Sequence, residues 1–441
     1  MEKFVINGGH PLSGEITVAG NKNAALPTIA ACLLTEEELI LRNVPRIRDT
    51  EAQVGLLESL GVHAIWSSDN ELRLRADSVA DTSPPEDLAA RIRASFLLAG
   101  PLLARFGEAR MPPPGGDFIG RRRLDPHLDA FRDMGVRVNG DRWIELTAPP
   151  SGLQACRIFM DEPSVMATEN ALMAAALTPG ETRIANAASE PHVQDLARLL
   201  VKMGAAIEGI GSNVMTVRGR DRLGGAEHRI CPDHIEVASF VALAAATKGE
   251  LRVRDTEPDD LIVIRRQFRR LGLQSMVEGR DVFVPPDQTL VIRSDLGEMI
   301  PKIDDGPWPA FPADLTSIAV ALATQAQGEV LIFEKMFENR LFFVDKLVAM
   351  GARITLCDPH RAIVSGPSRL HGERVDSPDI RAGMAMLIAA LAAEGVSEIG
   401  NVIQIDRGYE RIDDRLRELG ARIERVASPP PGGDERLRAV A

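Results

Sequence analysis

Two charged groups stand beside turns, where side chains and free backbone amides can reach a ligand. The first, GNKNAALP of residues 20–27, carries Lys22 and Asn23. It joins an alternating run, Glu15 to Val18, which predicts the first strand, to an apolar helix. Amide groups at a helix start and a neighbouring lysine attract anions. The pattern therefore predicts either an anion site or a turn with one solvated lysine.

The second group lies in PPPGGDFIGRR, residues 112–122. Its prolines and glycines exclude a helix, and we predict a long loop that closes over a substrate as a lid. Asp117 is followed by Arg121, Arg122 and Arg123. Guanidinium groups bind phosphate or carboxylate through paired hydrogen bonds, which favours an anion site. A solvated basic loop is the alternative.

Three further segments have simple structural interpretations. Asp314 follows the proline-rich turn WPAFPA and precedes an apolar helix, a position that favours a helix N-cap. The segments FENR, residues 337–340, and DRGYER, residues 406–411, are typical of surface ion pairs, which individually contribute little. Residue types alone do not identify a catalytic group in them.

Composition excludes several classes of protein. The 441 residues include 51 Lys and Arg against 63 Asp and Glu, a formal net charge of −12, whereas nucleic-acid binders concentrate positive charge. There is no apolar run of the roughly 20 residues that cross a bilayer and no secretion signal, so we expect a cytoplasmic protein without membrane or nucleic-acid partners. The cysteines are widely spaced and predict buried or inert thiols, with neither a zinc site nor a disulfide framework: Cys32, Cys156, Cys231 and Cys357.

One pattern occurs six times and must position these residues. A helical stretch ends in Leu or Met followed by Gly, and a strand-like run comes next. By subtraction, successive glycines are 68 to 79 residues apart, which is too long for a solenoid repeat and sufficient for a small α/β unit. The glycines are Gly61, Gly135, Gly204, Gly272, Gly351 and Gly420.

A second pattern supports the same units. Gly180, Gly249 and Gly328 each predict a turn into a short strand. The apolar stretches before them, residues 171–177, 242–247 and 318–325, predict helices buried on all sides. Such helices belong inside a domain with sheets packed outside, so we predict an α/β fold of two pseudo-symmetric domains with three units each.

Taken together, the segments resemble the enolpyruvyl transferase family, represented by UDP-N-acetylglucosamine enolpyruvyl transferase and, more distantly, by 5-enolpyruvylshikimate-3-phosphate synthase. The resemblance runs from about Phe4 to Arg425, and its motifs are GNKNAALP, IRASFLLAGPLLARFG, PGGDFIG, PSVMATEN, PAFPADL, FENR and IDRGYERI. It implies an inside-out α/β barrel in each of two pseudo-threefold domains. The implied domains are residues 22–231, with the lid loop 112–122, and residues 1–21 with 232–441. The last segment, residues 428–441, is rich in Pro, Gly and charge, which predicts a disordered or loosely attached tail.

The resemblance also implies an activity, the transfer of the enolpyruvyl group of phosphoenolpyruvate to the 3-hydroxyl of UDP-N-acetylglucosamine in peptidoglycan precursor synthesis. The family's reaction needs no metal or organic cofactor, and we expect a monomer. The implied catalytic residues are Lys22 and Arg407 on phosphoenolpyruvate, Asp314 as base, and Asp117 at the loop position, usually Cys, of the acid. Implied substrate contacts are Asn23, Arg93, Arg122, Asp125, Ser164, Val165, Arg340, Asp379 and Arg381.

The chain departs from the family pattern at residue 117 and in the nucleotide pocket. Because a carboxylate is a far weaker nucleophile than a thiolate, Asp117 predicts resistance to fosfomycin, an epoxide that alkylates the cysteine. In the pocket, Arg123 replaces a proline and is followed closely by Pro126, Met166 replaces a glycine, and His234 replaces an arginine. Two alternatives follow: a paralogue that uses another uridine nucleotide, such as UMP, and a nucleotide-binding homologue without turnover.

Overall fold

The computed structural model describes residues 2–427, so the expected disordered tail, residues 428–441, lies outside the described residues. Helices and strands alternate along the chain, which confirms the α/β class. The helices are α1 (Lys22–Ala30), α2 (Arg48–Ser59), α3 (Glu86–Ala89), α4 (Ala99–Phe106), α5 (Asp125–Asp133), α6 (Val165–Ala176), α7 (Pro191–Lys202), α8 (His234–Ala246), α9 (Ile262–Arg270), α10 (Thr316–Ala323), α11 (Val344–Ala349), α12 (Ile380–Ala392), α13 (Ile403–Asp406) and α14 (Ile412–Glu418).

The strands are mostly short, between three and six residues. They are β1 (Glu2–Asn7), β2 (Ser13–Thr17), β3 (Leu39–Arg42), β4 (His63–Ser68), β5 (Glu71–Arg75), β6 (Glu108–Met111), β7 (Arg137–Asn139), β8 (Ile144–Thr147), β9 (Arg157–Phe159), β10 (Gly180–Ala185), β11 (Ala206–Glu208), β12 (Val214–Gly219), β13 (Ala226–Arg229), β14 (Glu250–Arg254), β15 (Met276–Glu278), β16 (Asp281–Val284), β17 (Lys302–Asp304), β18 (Gly328–Phe333), β19 (Ile354–Asp358), β20 (Arg361–Gly366), β21 (Arg374–Asp376), β22 (Val396–Gly400) and β23 (Arg422–Ala427).

The six repeat glycines end six amphipathic helices, α2, α5, α7, α9, α11 and α14. All six adopt φ between 87° and 112°, the left-handed region that costs glycine little because it has no Cβ. At the first of them, the Gly61 N–H donates to the Glu58 carbonyl at 3.0 Å, which closes the helix before the chain turns into β4. The predicted helix, glycine and strand order is therefore confirmed at each position.

Each unit has its own sheet, and the sheets share one topology. Within residues 2–427 their strand orders are β4-β5-β3-β13, β7-β8-β6, β11-β12-β10-β9, β15-β16-β14-β2, β19-β20-β18-β17 and β23-β1-β22-β21. In every four-stranded sheet an outer strand pairs in parallel, while the other pairs are antiparallel. This repetition is the structural counterpart of the six sequence repeats.

The expected first strand was wrong in number and bounds. The run Glu15 to Val18 belongs to β2, Ser13–Thr17, whereas β1, Glu2–Asn7, comes before it. β1 is central in its sheet, where Phe4 lies opposite Ile399 and Arg425. Its pairing partners lie at the far end of the chain, so local alternation could not reveal it.

The alanine-rich helices of different units lie together in the interior, as predicted. Every residue of α8 and α10 is buried, and these helices contact each other and α12. α6 takes the same place against α4. None of the helices between residues 2 and 427 has the length and apolarity to cross a bilayer.

Two separate hydrophobic cores divide the chain. One contains buried residues between 24 and 230, and the other contains residues 4–18 and 235–423. The chain passes between them twice at adjacent points, where the Asn21 N–H donates to the Cys231 carbonyl at 2.8 Å and the Asp233 N–H to the Ala19 carbonyl at 3.0 Å. We propose residues 22–231 as one domain, and residues 2–21 with 232–427 as the other.

Phe4 should be a major source of stability, because its ring is fully buried in β1 and contacts the Arg425 guanidinium, 4.8 Å from the ring centroid. Phe4→Ala should cost about 3–5 kcal/mol, which lowers Tm by roughly 10 °C in differential scanning calorimetry. Lys3→Ala, on the same strand, removes only a surface ion pair with Glu398 and should cost less than about 1 kcal/mol. Equal losses in the two variants would contradict the assignment.

Candidate active site

A cavity of about 260 Å³ lies between the two cores and is lined by side chains from both. Loop ends and helix starts supply its walls, since amides and long side chains are free there. Of the predicted site residues, those that line it are Lys22, Asn23, Arg93, Asp117, Arg122, Val165, Asp314, Arg340, Asp379, Arg381 and Arg407.

The centre of the cavity is a carboxylate shared by two cations from different halves of the chain. Asp49, at the start of α2, contacts Lys22 Nζ through Oδ2 at 2.7 Å and Arg407 Nε through Oδ1 at 2.8 Å. All three side chains are largely buried. Burial opposes ionisation of Asp49, but the charges of Lys22 and Arg407 outweigh it and lower its pKa. The two cations are thus held side by side.

Lys22 is placed by the turn that the sequence predicted. Asn21 caps α1 by accepting from the Ala24 N–H at 3.1 Å, so Lys22 is the first residue of the helix. Its own N–H donates to Asp233 of the other domain at 3.3 Å. The α1 start is thereby attached to the start of α8, which places the lysine at the junction of the domains.

Asp314 forms a second ion-pair centre in the same cavity. Arg340 donates to its Oδ1 at 2.9 Å, and Arg381 donates to its Oδ2 at 3.0 Å. Burial opposes ionisation, but the charges of Arg381, Arg340 and Lys22 lower the pKa of this carboxyl well below its usual range. The expected N-cap interpretation was wrong: Asp314 lies inside a 3-10 turn, residues 313–315, that Pro312 precedes.

Arg381 is held in place from behind. Asp379 caps α12 by accepting from the N–H groups of Arg381 and Ala382 at 2.8 and 3.0 Å. The Arg381 guanidinium also donates to the Tyr409 hydroxyl at 3.3 Å, which contacts Ser239 at 3.1 Å. Burial raises the pKa of Asp379, although the charge of Arg340 opposes this. This network fixes the guanidinium towards Asp314.

The surface ion-pair interpretation of FENR and DRGYER was wrong for Arg340 and Arg407, whereas Arg411 does form an exposed ion pair with Asp414 at 2.9 Å. Arg340 is 3% exposed, and the Arg407 side chain is 14% exposed. Both point into the cavity. The expectation failed because the partners, Asp314 and Asp49, are distant in sequence.

The predicted lid is an irregular segment between β6 and α5, and it lies over the cavity. Asp117 forms a close ion pair with Arg407. Arg122 reaches the cavity, and its carbonyl accepts from Arg93 at 2.5 Å. Burial lowers the pKa of Arg93 to about 10, and the charge of Arg122 contributes. The lid therefore brings one acid and one further cation to the site.

Some predicted residues lie outside the cavity. Asp125 is exposed and accepts from Arg123 at 3.2 Å, and Arg123 also contacts Asp161 at 3.3 Å. Ser164 caps α6 by accepting from the Ala167 N–H at 3.4 Å. Pro126 is buried in α5. Of the four departures in the nucleotide pocket, only Met166 and His234 line the cavity.

The cavity also contains a cluster of aromatic side chains. The His192 and His234 rings stack in parallel with centroids 6.3 Å apart, and Trp308 lies 5.8 Å from His234. Burial lowers the pKa of His192 to about 4 and that of His234 to about 3. Both imidazoles are therefore neutral at physiological pH.

The same part of the cavity contains two buried carboxyls, Glu169 and Glu190. Burial raises the pKa of both. Glu190 accepts from the Trp308 N–H at 3.4 Å, while Glu169 Oε1 and Glu190 Oε2 have no hydrogen-bond partner among residues 2–427. The cavity thus joins a cationic half to a half that favours neutral polar groups.

Sequence reasoning missed Asp49, Glu169, Glu190, His192 and Trp308. Asp49 follows the usual preference for an acid in the first turn of a helix. Glu190 precedes Pro191 at a helix start, again an ordinary pattern. Only their long-range contacts distinguish them from structural residues.

Known proteins share this architecture and these motifs. The family model described as EPSP synthase (3-phosphoshikimate 1-carboxyvinyltransferase) matches residues 6–416. The chain is 58% identical, over 424 residues, to the UDP-N-acetylglucosamine 1-carboxyvinyltransferase of Bradyrhizobium diazoefficiens, with 96% of this chain and 98% of that protein covered. The protein of the same name from Treponema denticola is 55% identical, with 96% and 99% covered.

A solved structure is also similar. The enolpyruvyl transferase NikO from Streptomyces tendae superposes with a TM-score of 0.86 at 26% identity, covering 97% of this chain and 99% of that one.

The neutral state of His192 predicts a specific pH dependence. As pH falls below about 6.5, the unfolded chain protonates this imidazole, whereas the folded protein resists until about pH 4. Protonation of this imidazole in the unfolded chain should therefore lower the free energy of unfolding of wild type by about 2 kcal/mol between pH 7 and pH 5. His192→Gln has no imidazole to protonate and avoids this loss. Between pH 7 and pH 5, the stability of the variant relative to wild type should therefore rise by the same amount. His192→Asn should show the same pH dependence as His192→Gln in urea unfolding. A stability difference from wild type that does not change with pH would contradict the neutral state of His192 in the folded protein.

Proposed function

Because the chain belongs to the EPSP synthase family, we propose that it transfers the enolpyruvyl group of phosphoenolpyruvate to the 3-hydroxyl of UDP-N-acetylglucosamine and releases phosphate. Relatives of that name at 55–58% identity over nearly the whole chain support this acceptor. We further propose a cytoplasmic role in peptidoglycan precursor synthesis. A monomer is the proposed form, as the family resemblance implies.

The observation that carries the proposal is the meeting of Lys22 and Arg407 on one carboxylate. Phosphoenolpyruvate is a small, highly charged anion, and it needs several convergent cations to leave water. Lys22, Arg407 and Arg122 line the same cavity and come from both halves of the chain. A bound anion would compete with Asp49 and Asp117 for them, so the ion pairs keep the cations placed until substrate arrives.

Asp314 is the proposed base for the acceptor hydroxyl. Its lowered pKa keeps it ionised at neutral pH, as a base requires, but the same shift makes it a weak base. Binding of the anion near Lys22 reduces the positive potential at Asp314 and raises its proton affinity. Proton acceptance is thereby linked to the presence of phosphoenolpyruvate.

Asp117 is the proposed acid for the methylene carbon. Its carboxyl forms an ion pair with the Arg407 guanidinium. When the phosphate or carboxylate of the substrate takes over Arg407, Asp117 loses this partner and faces an anion instead. Substrate binding therefore exchanges the partner of the proposed acid.

The proposed reaction is an addition followed by an elimination. Asp117 protonates C3 of phosphoenolpyruvate, the acceptor oxygen bonds to C2, and Asp314 takes the hydroxyl proton. The Asp117 carboxylate then takes a proton back from C3 of the tetrahedral intermediate, the bond between C2 and the phosphate oxygen breaks, and phosphate leaves with that electron pair. The proton held by Asp314 passes to the departing phosphate, which restores both carboxyl groups. Lys22, Arg122 and Arg407 stabilise the departing charge.

Met166 and His234 are the departures that bear on acceptor choice, since both line the cavity. They support the second candidate, a paralogue that uses another uridine nucleotide such as UMP. Retention of both proton-transfer carboxylates beside the cations argues against the third, a homologue without turnover.

Phosphate release separates the three candidates. Purified protein with phosphoenolpyruvate should release phosphate with UDP-N-acetylglucosamine, and Lys22→Ala should slow this on the order of 100-fold because a charge-stabilising group is lost. Turnover with UMP but not with UDP-N-acetylglucosamine would favour the paralogue. Nucleotide binding without turnover of any uridine nucleotide would favour the silent homologue.

Fosfomycin tests the proposed position of Asp117. Wild type should keep its activity on incubation with the epoxide, because no thiolate is placed over the anion site. Asp117→Cys should become inactivated with time, and phosphoenolpyruvate should protect it. Asp117→Ser, which has neither thiolate nor carboxylate, is the matched control and should not be inactivated. Rapid inactivation of wild type would contradict the proposal.

A further inference from the structure

Two residues outside the cavity lining, Glu338 and Asn339, contact the lid from the other domain. The Arg121 N–H donates to Glu338 Oε2 at 3.0 Å. The Asn339 N–H donates to the Ile119 carbonyl at 3.0 Å. These two hydrogen bonds lie on either side of Gly120 and cross the boundary between the proposed domains. The lid is therefore attached just after Asp117.

Gly120 makes this close approach feasible. Its φ of 144° and its position mean that a Cβ would collide with the Glu338 carboxylate and lie 3.0 Å from the Glu338 nitrogen. Because glycine has no Cβ, the lid backbone can lie directly against this side chain. The last glycine of the motif PGGDFIG thus allows the lid to contact Glu338.

The lid's other attachments lie at its ends. The Gly115 N–H donates to the Ala89 carbonyl at 3.2 Å, and the Arg122 carbonyl accepts from Arg93. Between these anchors, the hydrogen bonds found for residues 116–121 all lead to the other domain, through Arg407, Glu338 and Asn339. Placement of Asp117 consequently depends on contacts across the cleft.

The same short segment also holds the proposed base. Arg340, next to Asn339, donates to Asp314 at 2.9 Å. Three consecutive residues of the motif FENR therefore contact the lid and the base together. A shift of this segment would move the proposed acid and the proposed base relative to each other.

We propose that Glu338 is a positioning residue for the reaction: its carboxylate receives the Arg121 amide when the lid is closed and so sets Asp117 over the anion site. The charged acceptor makes this bond stronger than one between neutral groups. The catalytic consequence rests on the proposed function, whereas the attachment of the lid does not.

Steady-state kinetics tests the catalytic part. Glu338→Ala should lower kcat about tenfold, a factor that corresponds to about 1.4 kcal/mol. KM for phosphoenolpyruvate should change little, since Asp49 still holds Lys22 and Arg407 and Arg93 still holds the Arg122 carbonyl. Glu338→Gln keeps an acceptor oxygen and should recover most of the loss. The matched control is Glu329→Ala, on β18 of the same domain, whose carboxylate accepts from Ser365 at 2.9 Å away from the lid. Its kcat should equal that of wild type.

Limited trypsin digestion tests the attachment itself, because Arg121 and Arg122 are cleavage sites in the lid and Arg123 is one directly after it. At the same UDP-N-acetylglucosamine concentration, Glu338→Ala should be cut there several-fold faster than wild type and Glu329→Ala at the wild-type rate. Unchanged cleavage in Glu338→Ala, or equal effects in both variants, would overturn the proposal. If wild type has no turnover, the proposed function fails, and the digestion still decides the role of Glu338.

Discussion

The site depends on one interaction, the carboxylate of Asp49 held between Lys22 and Arg407. Two cations that contact the same carboxylate repel each other, and both lose hydration in a largely buried setting. A shared counter-ion offsets both costs. Because Lys22 begins a helix of one domain and Arg407 follows a helix of the other, the same contact also joins the two halves of the molecule.

The same principle governs the rest of the cationic half. Asp314 is held between Arg340 and Arg381, and Asp117 lies against Arg407. Each acid keeps a buried guanidinium oriented, and each can be released when a substrate anion replaces it. Proton transfer and anion binding are therefore coupled through charge, since the proton affinity of Asp314 changes as the cations around it change partners.

The other half of the cavity follows the opposite rule. Its histidines are neutral and its carboxyls resist ionisation, because burial outweighs the opposing charges of nearby carboxylates at the histidines and is the main influence on the carboxyls. The two parts of the cavity therefore differ in charge. An acceptor with one charged and one neutral polar end would fit the cavity in a single orientation.

The sequence by itself determined the six units, the buried helices and the irregular lid, because left-handed glycines, apolar periodicity and proline-rich loops are local properties of the chain. Most of the site residues that motif matching identified line one cavity. The tertiary structure decided which charges share a partner. Asp49 and Arg407 are 358 positions apart, and β1 pairs with strands near the chain's end. Such contacts arise only when the domains pack, so no local pattern could distinguish Asp49 from a helix-start acid or Asp314 from an N-cap.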